Sequence, residues 1–309
     1  MIRTESLTKQ YGRRFAVKDF DVEIGAHGVV GFLGLNGAGK TTTLRMLAGL
    51  LAPSWGKVWV DGLDLAGPGG ARARARIGFL PDRPPLHDEM SVQSYLTYAA
   101  RLRGASGGPS RVAEVLERTG LVEHADEPIG SLSHGYRQRV GIAQAIVHDP
   151  ALVILDEPTS GLDPRQIVDM RALVRSLGDD HTVLLSSHNL HEVSETCDQL
   201  LLIERGRLVA QGTPGELSGE RGRTWAFTLR GERAAVETAV AAGVERGLFA
   251  AAEPRPAGSE LFELELSIAA EPEPVAALFV GLGLGLRRMQ PASDPLESLF
   301  SRLTEVAQA

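Results

Sequence analysis

The chain has one cysteine, Cys197, in 309 residues. That excludes an internal disulfide framework and any cysteine-rich zinc site, and a lone thiol of this kind is expected to be buried. Long apolar runs are missing too. Glycine or charge interrupts every apolar window well before the roughly twenty residues needed to span a bilayer, and the start, "IRTESLTKQYG", has no apolar signal segment. Any membrane association must therefore come through a partner. Excess positive charge is also absent: the formal net charge is −7, which argues against a nucleic-acid-binding surface and for no nucleic-acid partner. The 43% hydrophobic content is enough for large cores, and the length suggests roughly two domains.

The most informative stretch is "GLNGAGKTT", residues 34–42, which sets Gly34, Gly39, Lys40 and Thr41 at the Gly-x4-Gly-Lys-Ser/Thr spacing of a phosphate-binding loop. Glycines let successive backbone N–H groups close around phosphate oxygens. Asn36, Gly37, Ala38, Gly39, Lys40, Thr41 and Thr42 are thus candidates for holding ATP. Lys40 supplies a compact charge at the β/γ end, and the Thr41 hydroxyl is a ligand for Mg2+. The flanks agree, since "GVVGFLG" from Gly28 reads as a buried strand and "TTTLRMLAGLL" from Thr41 as a helix.

A second landmark is "ALVILDEPTSGLDP" from Ala151 to Pro164, a buried strand ending in two acids. Asp156 is placed to hold Mg2+ and Glu157 to orient or deprotonate water attacking the γ-phosphate. Read alone, the pair is equally consistent with a surface acidic turn. Upstream, "LSHGYRQRVGIAQAIVHDP" reads as a helix capped at Ser133, an anion site or an ordinary cap.

The phosphate loop, residues 132–139, Asp156-Glu157, "SGLD" at 160–163 and "SSH" at 186–188 occur in the order of an ABC ATPase. About the first 215 residues resemble the nucleotide-binding subunit of an ABC transporter, most closely the bacterial exporter branch associated with gliding motility, drug efflux and copper-enzyme maturation. The resemblance implies an α/β P-loop NTPase core over residues 1–217 with a helical subdomain at about 84–147. It implies two such subunits closing head to tail, so that Ser133 and Gly135 of one meet the γ-phosphate held by the other. It also implies an integral membrane permease whose coupling helix docks on the helical subdomain, which places the protein peripherally at the cytoplasmic face. Residue by residue, Tyr11 matches the aromatic that stacks on adenine, His188 the histidine sensing the γ-phosphate, and Asp163 a residue coupling the two sites. A packing tyrosine, a surface histidine and a helix cap before Pro164 are the plainer readings of those three.

Two motifs depart from the family pattern. "LSHGY" stands where many members have "LSGGQ", with His134 and Tyr136 substituted. Asp82, in "IGFLPD", aligns with a glutamine that reaches Mg2+ and the attacking water, so it is a candidate catalytic and metal-contacting residue. Its shorter side chain leaves that reach undecided. Arg72, Arg74 and Arg76 are expected to form a solvated face without function.

After "LLIERGRLVAQGTPGEL", the polar run at 218–223 marks a linker. Residues 224–309 alternate strand and helix patterns in an order that suggests a small α+β ferredoxin-like module, ending in an amphipathic helix from Asp294. Its tail, "PLESLFSRLT", resembles that of the exporter branch. A regulatory or dimer-stabilising role and mere capping of the core are equally open. The whole reads as an ATP-hydrolysing subunit powering an exporter. A soluble ABC machine acting on ribosomes or DNA is the alternative, disfavoured because only one cassette and no coiled-coil insertion occur here.

Overall fold

The computed structural model describes residues 1–218, 223–250, 252–258, 260–268 and 271–291. The chain divides into two compact units, Met1–Pro214 and Gly215–Ala309.

Unit 1 begins with an antiparallel sheet built from β1 (Ile2–Tyr11), β2 (Arg14–Phe20), β3 (Glu23–Ile24), and, after β4 (Gly28–Leu33) and α1 (Lys40–Leu47), from β5 (Trp55–Val60) and β6 (Leu63–Asp64). A two-residue hairpin, Gly12-Arg13, sets Arg14 opposite Tyr11. The short α2 (Gly70–Ala75) leads into β7 (Ile77–Leu80). Arg72, Arg74 and Arg76 are all exposed, as expected. Arg74 also donates to the Leu65 carbonyl at 2.9 Å, and Arg76 pairs with Asp61 at 2.6 Å.

Three helices follow: α3 (Val92–Arg103), α4 (Gly108–Arg118) and α5 (His134–Ile146). Ser91 caps α3 by accepting from Ser94 N–H. The buried stripe of Val92, Tyr95, Leu96 and Ala99 on α3 faces a helical core rather than solvent. Tyr95, buried up to its hydroxyl, donates to Gln144 Oε1 of α5 at 2.8 Å.

The remaining elements of unit 1 are β8 (Leu152–Asp156), α6 (Pro164–Gly178), β9 (Thr182–Ser187), α7 (Leu190–Thr196), β10 (Gln199–Glu204) and β11 (Arg207–Gly212). The main sheet runs β11-β10-β4-β9-β8-β7. Strands β10, β4, β9, β8 and β7 are mutually parallel, and β11 is an antiparallel edge. The runs "LVILD" and "TVLLSS" are buried at every position, as a parallel sheet covered on both faces requires. Phe20 and Phe32 stack at 6.2 Å inside a core that includes Leu44 and Leu47, all fully buried. Each such side chain contributes about 1.5–3 kcal/mol. Cys197 is buried as expected. Because β4, β8 and β9 are parallel neighbours, their C-terminal ends open on one edge, where ligands of open α/β sheets bind.

The short α8 (Pro214–Ser218) spans the division. Unit 2 contains β12 (Arg223–Arg230), α9 (Arg233–Glu245), β13 (Arg255–Gly258), β14 (Leu261–Ile268), α10 (Glu273–Gly281) and β15 (Gly285–Pro291). Its sheet order is β13-β14-β12-β15, antiparallel throughout. Along β14, Phe262, Leu264, Leu266 and Ile268 are buried while Glu263 and Glu265 are exposed. Val236, Ala239, Val275 and Phe279 of the two helices belong to the same core. Strand β13 has no clear sequence signal: it is fully exposed and carries Pro256, which is tolerated only at a sheet edge. The helix expected from Asp294 lies outside the described residues, as do residues 219–222 of the linker. Among the described residues, no helix is long and apolar enough to cross a membrane.

Candidate active site

The loop after β4 is shaped by close approach. A Cβ on Gly34 would sit 2.4 Å from the Ile203 carbonyl oxygen, so only glycine fits beside β10. Gly39 has φ 106°, in the region side chains avoid, and a Cβ there would meet the Ala16 carbonyl at 2.5 Å. Lys40, only 6% exposed, curls its ammonium back to donate to the Gly34 carbonyl at 2.8 Å. The same Nζ lies 3.4 Å from Glu157 Oε1.

Asp156 ends β8 and Ser186 pairs with it on β9. Asp156 Oδ1 accepts from Ser186 Oγ at 2.7 Å and from Thr41 Oγ1 at 3.2 Å. Asp156 Oδ2 is buried and, among the described residues, has no hydrogen-bond partner. A buried carboxylate oxygen with an open valence beside a threonine hydroxyl fits a hard cation that prefers oxygen, such as Mg2+. Thr41 and Asp156 are the residues that would hold it.

Glu157 follows with φ 51°, a left-handed conformation that costs a non-glycine residue about 1–3 kcal/mol. Its N–H donates to Ser186 Oγ at 2.9 Å, which secures the turn. Its second carboxylate oxygen, Oε2, accepts from His188 Nδ1 at 2.9 Å. The carboxylate is thus shared between a cation and an imidazole, within one cleft of about 640 Å3.

That cleft gathers most of the residues singled out in the sequence. Asn36, Gly37, Gly39, Lys40, Thr41 and Thr42 line it from the loop and α1; Asp82, Asp156, Glu157 and His188 line it from the sheet edge. Tyr11 lines it from the end of β1, with its ring 53% exposed and Lys9 Nζ 5.4 Å from the ring centre. Ala38 is buried beneath the loop. Asp82 reaches the cleft wall, and its carbonyl accepts from Gln138 Nε2 of α5 at 3.3 Å.

Besides Ala38, three of the candidate residues do not line it. Ser133 precedes α5 in the capping position yet makes no capping hydrogen bond, unlike an ordinary cap. Gly135 is buried against the Gln166 side chain. Asp163 does cap α6, its Oδ1 accepting from Arg165 and Gln166 N–H, both at 3.0 Å. His134 Nε2 donates to the Ser160 carbonyl at 3.0 Å, and the Tyr136 ring lies 4.1 Å from that of His124. The two substituted positions therefore have partners within the chain.

Sequence reasoning missed Arg14, which also lines the cleft. The Gly12-Arg13 turn was the available signal, because a two-residue hairpin sets Arg14 across from Tyr11. It also missed Ser186, whose hydroxyl serves both acids.

The ABC transporter family profile matches residues 17–160. The ABC transporter ATP-binding protein YxlF of Bacillus subtilis (strain 168) is 40% identical over 234 residues, 74% of this chain and 76% of that one. Nod factor export ATP-binding protein I of Ralstonia nicotianae is 37% identical over 221 residues, 70% of this chain and 68% of that one. Among solved structures, cbiO1 from Clostridium perfringens, part of the ABC transporter complex cbiONQ, superposes with a TM-score of 0.63 at 30% identity over 70% of this chain and 89% of that one. With its ordered motifs converging on one cleft, the chain belongs to the ABC transporter family, as an ATP-binding subunit and an ATPase.

Proposed function

We propose that the protein hydrolyses MgATP between two subunits closed head to tail and thereby drives a separately encoded membrane permease in the exporting direction, from the cytoplasmic face. The observation that carries the chemistry is the meeting of Lys40, Thr41, Asp156, Glu157 and His188 in one cleft. The name of the Ralstonia relative, which specifies export, supports the direction.

In this reading the loop N–H groups and Lys40 hold the β/γ-phosphates, and Tyr11 stacks on adenine. Thr41 and Asp156 would hold Mg2+, which when bound would supply stabilisation of the negative charge on the phosphates. Glu157 accepts a proton from the attacking water, and His188 holds the second carboxylate oxygen while facing the γ-phosphate. Asp82 orients that water from the cleft wall. Ser133 and Gly135 serve the partner's nucleotide, which accords with their position outside this chain's cleft, and Asp163 couples the two sites across the interface. His134 and Tyr136, already engaged within the chain, alter that contact without removing it.

Residues 1–217 act as the ATPase domain, 218–223 as the linker and 224–309 as an accessory domain of ferredoxin-like type. The β-α-β-β-α-β order and the antiparallel 13-14-12-15 sheet support the last assignment. Its role in this reading is to regulate or stabilise the pair of subunits.

The test is affinity purification from gently solubilised native membranes with mass spectrometry of what stays bound. A stoichiometric polytopic protein supports the transporter reading. A soluble ribosomal or chromosomal partner, with no permease, overturns it and leaves the ATPase assignment standing.

A further inference from the structure

One buried acid of unit 1 lies behind the cleft rather than in it. Glu192, in the first turn of α7, is 8% exposed. Its Oε2 accepts from Thr159 Oγ1 at 2.8 Å and from Ser187 Oγ at 3.0 Å. Among the described residues it forms no ion pair, so the two hydroxyls compensate for the burial of its carboxylate. The local arrangement is not a simple helix cap. Asn189 caps α7 by accepting from the Glu192 N–H at 3.4 Å, while its own N–H donates to Ser187 Oγ at 3.0 Å; the Glu192 carboxylate reaches two hydroxyls on two different turns instead of the cap backbone.

Those turns carry the reacting groups. Thr159 lies two residues after Glu157, and Ser187 immediately precedes His188. One carboxylate oxygen therefore ties together the segments whose side chains meet at 2.9 Å in the cleft. The Glu157 turn also holds a left-handed residue, which persists only where its surroundings over-determine it. The phosphate loop is built separately, from β4 and α1.

We infer that Glu192 is a positioning residue for hydrolysis: it sets Glu157 against His188 without touching nucleotide. This rests on the reading of Glu157 as the group that activates water. Displacing such a group by about 1 Å costs on the order of 10²-fold in rate.

The test uses the full chain with Glu192→Met, Thr159→Val, Thr159→Ser, the double Glu192→Met/Thr159→Val, and Glu157→Gln as reference. Glu192→Met, which has a similar shape but no oxygen to accept the two hydroxyls, and Thr159→Val are expected to lower kcat by about 10- to 100-fold, as loss of outer hydrogen-bond partners does elsewhere. KM and the affinity for a fluorescent ATP analogue with Mg2+ stay within about twofold of the parent. Thr159→Ser, which keeps the hydroxyl, recovers most of the rate, and the double variant is no slower than the worse single, since both remove one tie. Unchanged kcat in folded Glu192→Met, or matching losses of kcat, affinity and melting temperature in Thr159→Ser and Thr159→Val alike, would overturn the inference. If Glu192→Met does not fold, the two Thr159 variants decide. Full turnover in Glu157→Gln instead defeats the reading of Glu157 and is told apart by that reference alone.

Discussion

Lys40 Nζ stands 3.4 Å from Glu157 Oε1, the ammonium 6% exposed and the carboxylate 15%. The two groups neutralise each other in the structure; in the proposed reaction nucleotide draws Lys40 toward itself. That leaves Glu157 held by His188.

Glu157→Gln should keep nucleotide binding and dimerisation while lowering ATP turnover by about 10²-fold or more, the contribution of a positioned general base. A phosphate-release assay and size-exclusion chromatography with MgATP check both parts. Turnover at the parent rate would refute the role given to Glu157.

Lys40→Met should weaken ATP binding by about 2–5 kcal/mol, because it removes the cation that pairs with the phosphates and leaves the negative Glu157 facing them. Isothermal titration with ATP and Mg2+ measures this. Restored affinity in a Lys40→Met/Glu157→Gln pair would show how much of the loss is the orphaned carboxylate.

Gly34→Ala tests the loop's shape. The added methyl would meet the Ile203 carbonyl at 2.4 Å, a backbone atom that cannot swing away. Nucleotide binding should fall and stability should drop by about 1–3 kcal/mol, as in other overpacked sites. A denaturant titration of the substituted chain with parental stability would contradict the close approach.

Mixing two inactive variants, Lys40→Met and Ser133→Arg, should restore part of the ATPase rate. A head-to-tail pair of one of each retains one site with an intact Lys40 and an intact Ser133. No recovery, with mixed pairs demonstrated by differential tags, would rule out the shared-site arrangement.

Acid should destabilise unit 1 through two histidines. His148 is held down to about 4, by burial first and then by Arg103 and Arg111, with Asp149 and the Ile77 carbonyl opposing. His181 is lowered chiefly by burial, aided by Arg118, against the Pro150 carbonyl, Asp149 and Asp180. Each folded imidazole binds fewer protons than the unfolded one, so stability is full above about 6.5 and falls as pH drops toward 4. The melting temperature should fall by a few degrees between pH 7 and pH 5, with a shallower slope in His148→Gln. Identical slopes would remove His148 from the account.

What the sequence determined by itself is local or strongly periodic. Residues 34–42 are contiguous, so their spacing already encodes a loop that wraps phosphate, and the unbroken apolar runs before Asp156 and His188 encode central strands. The order of those motifs identified the family, because it needs no knowledge of how the strands pair.

Only the tertiary structure decided the rest. Thr41 and Asp156 are 115 residues apart, yet share a hydrogen bond because β9 lies between β4 and β8 and brings their strand ends to one edge. The division of the Glu157 carboxylate between Lys40 and His188, the two-hydroxyl tie at Glu192, and the edge strand β13 with its Pro256 carry no pattern in the chain. They depend on which atoms a fold brings within about 3 Å of each other, and hydrogen bonding at that range follows strand register rather than residue spacing.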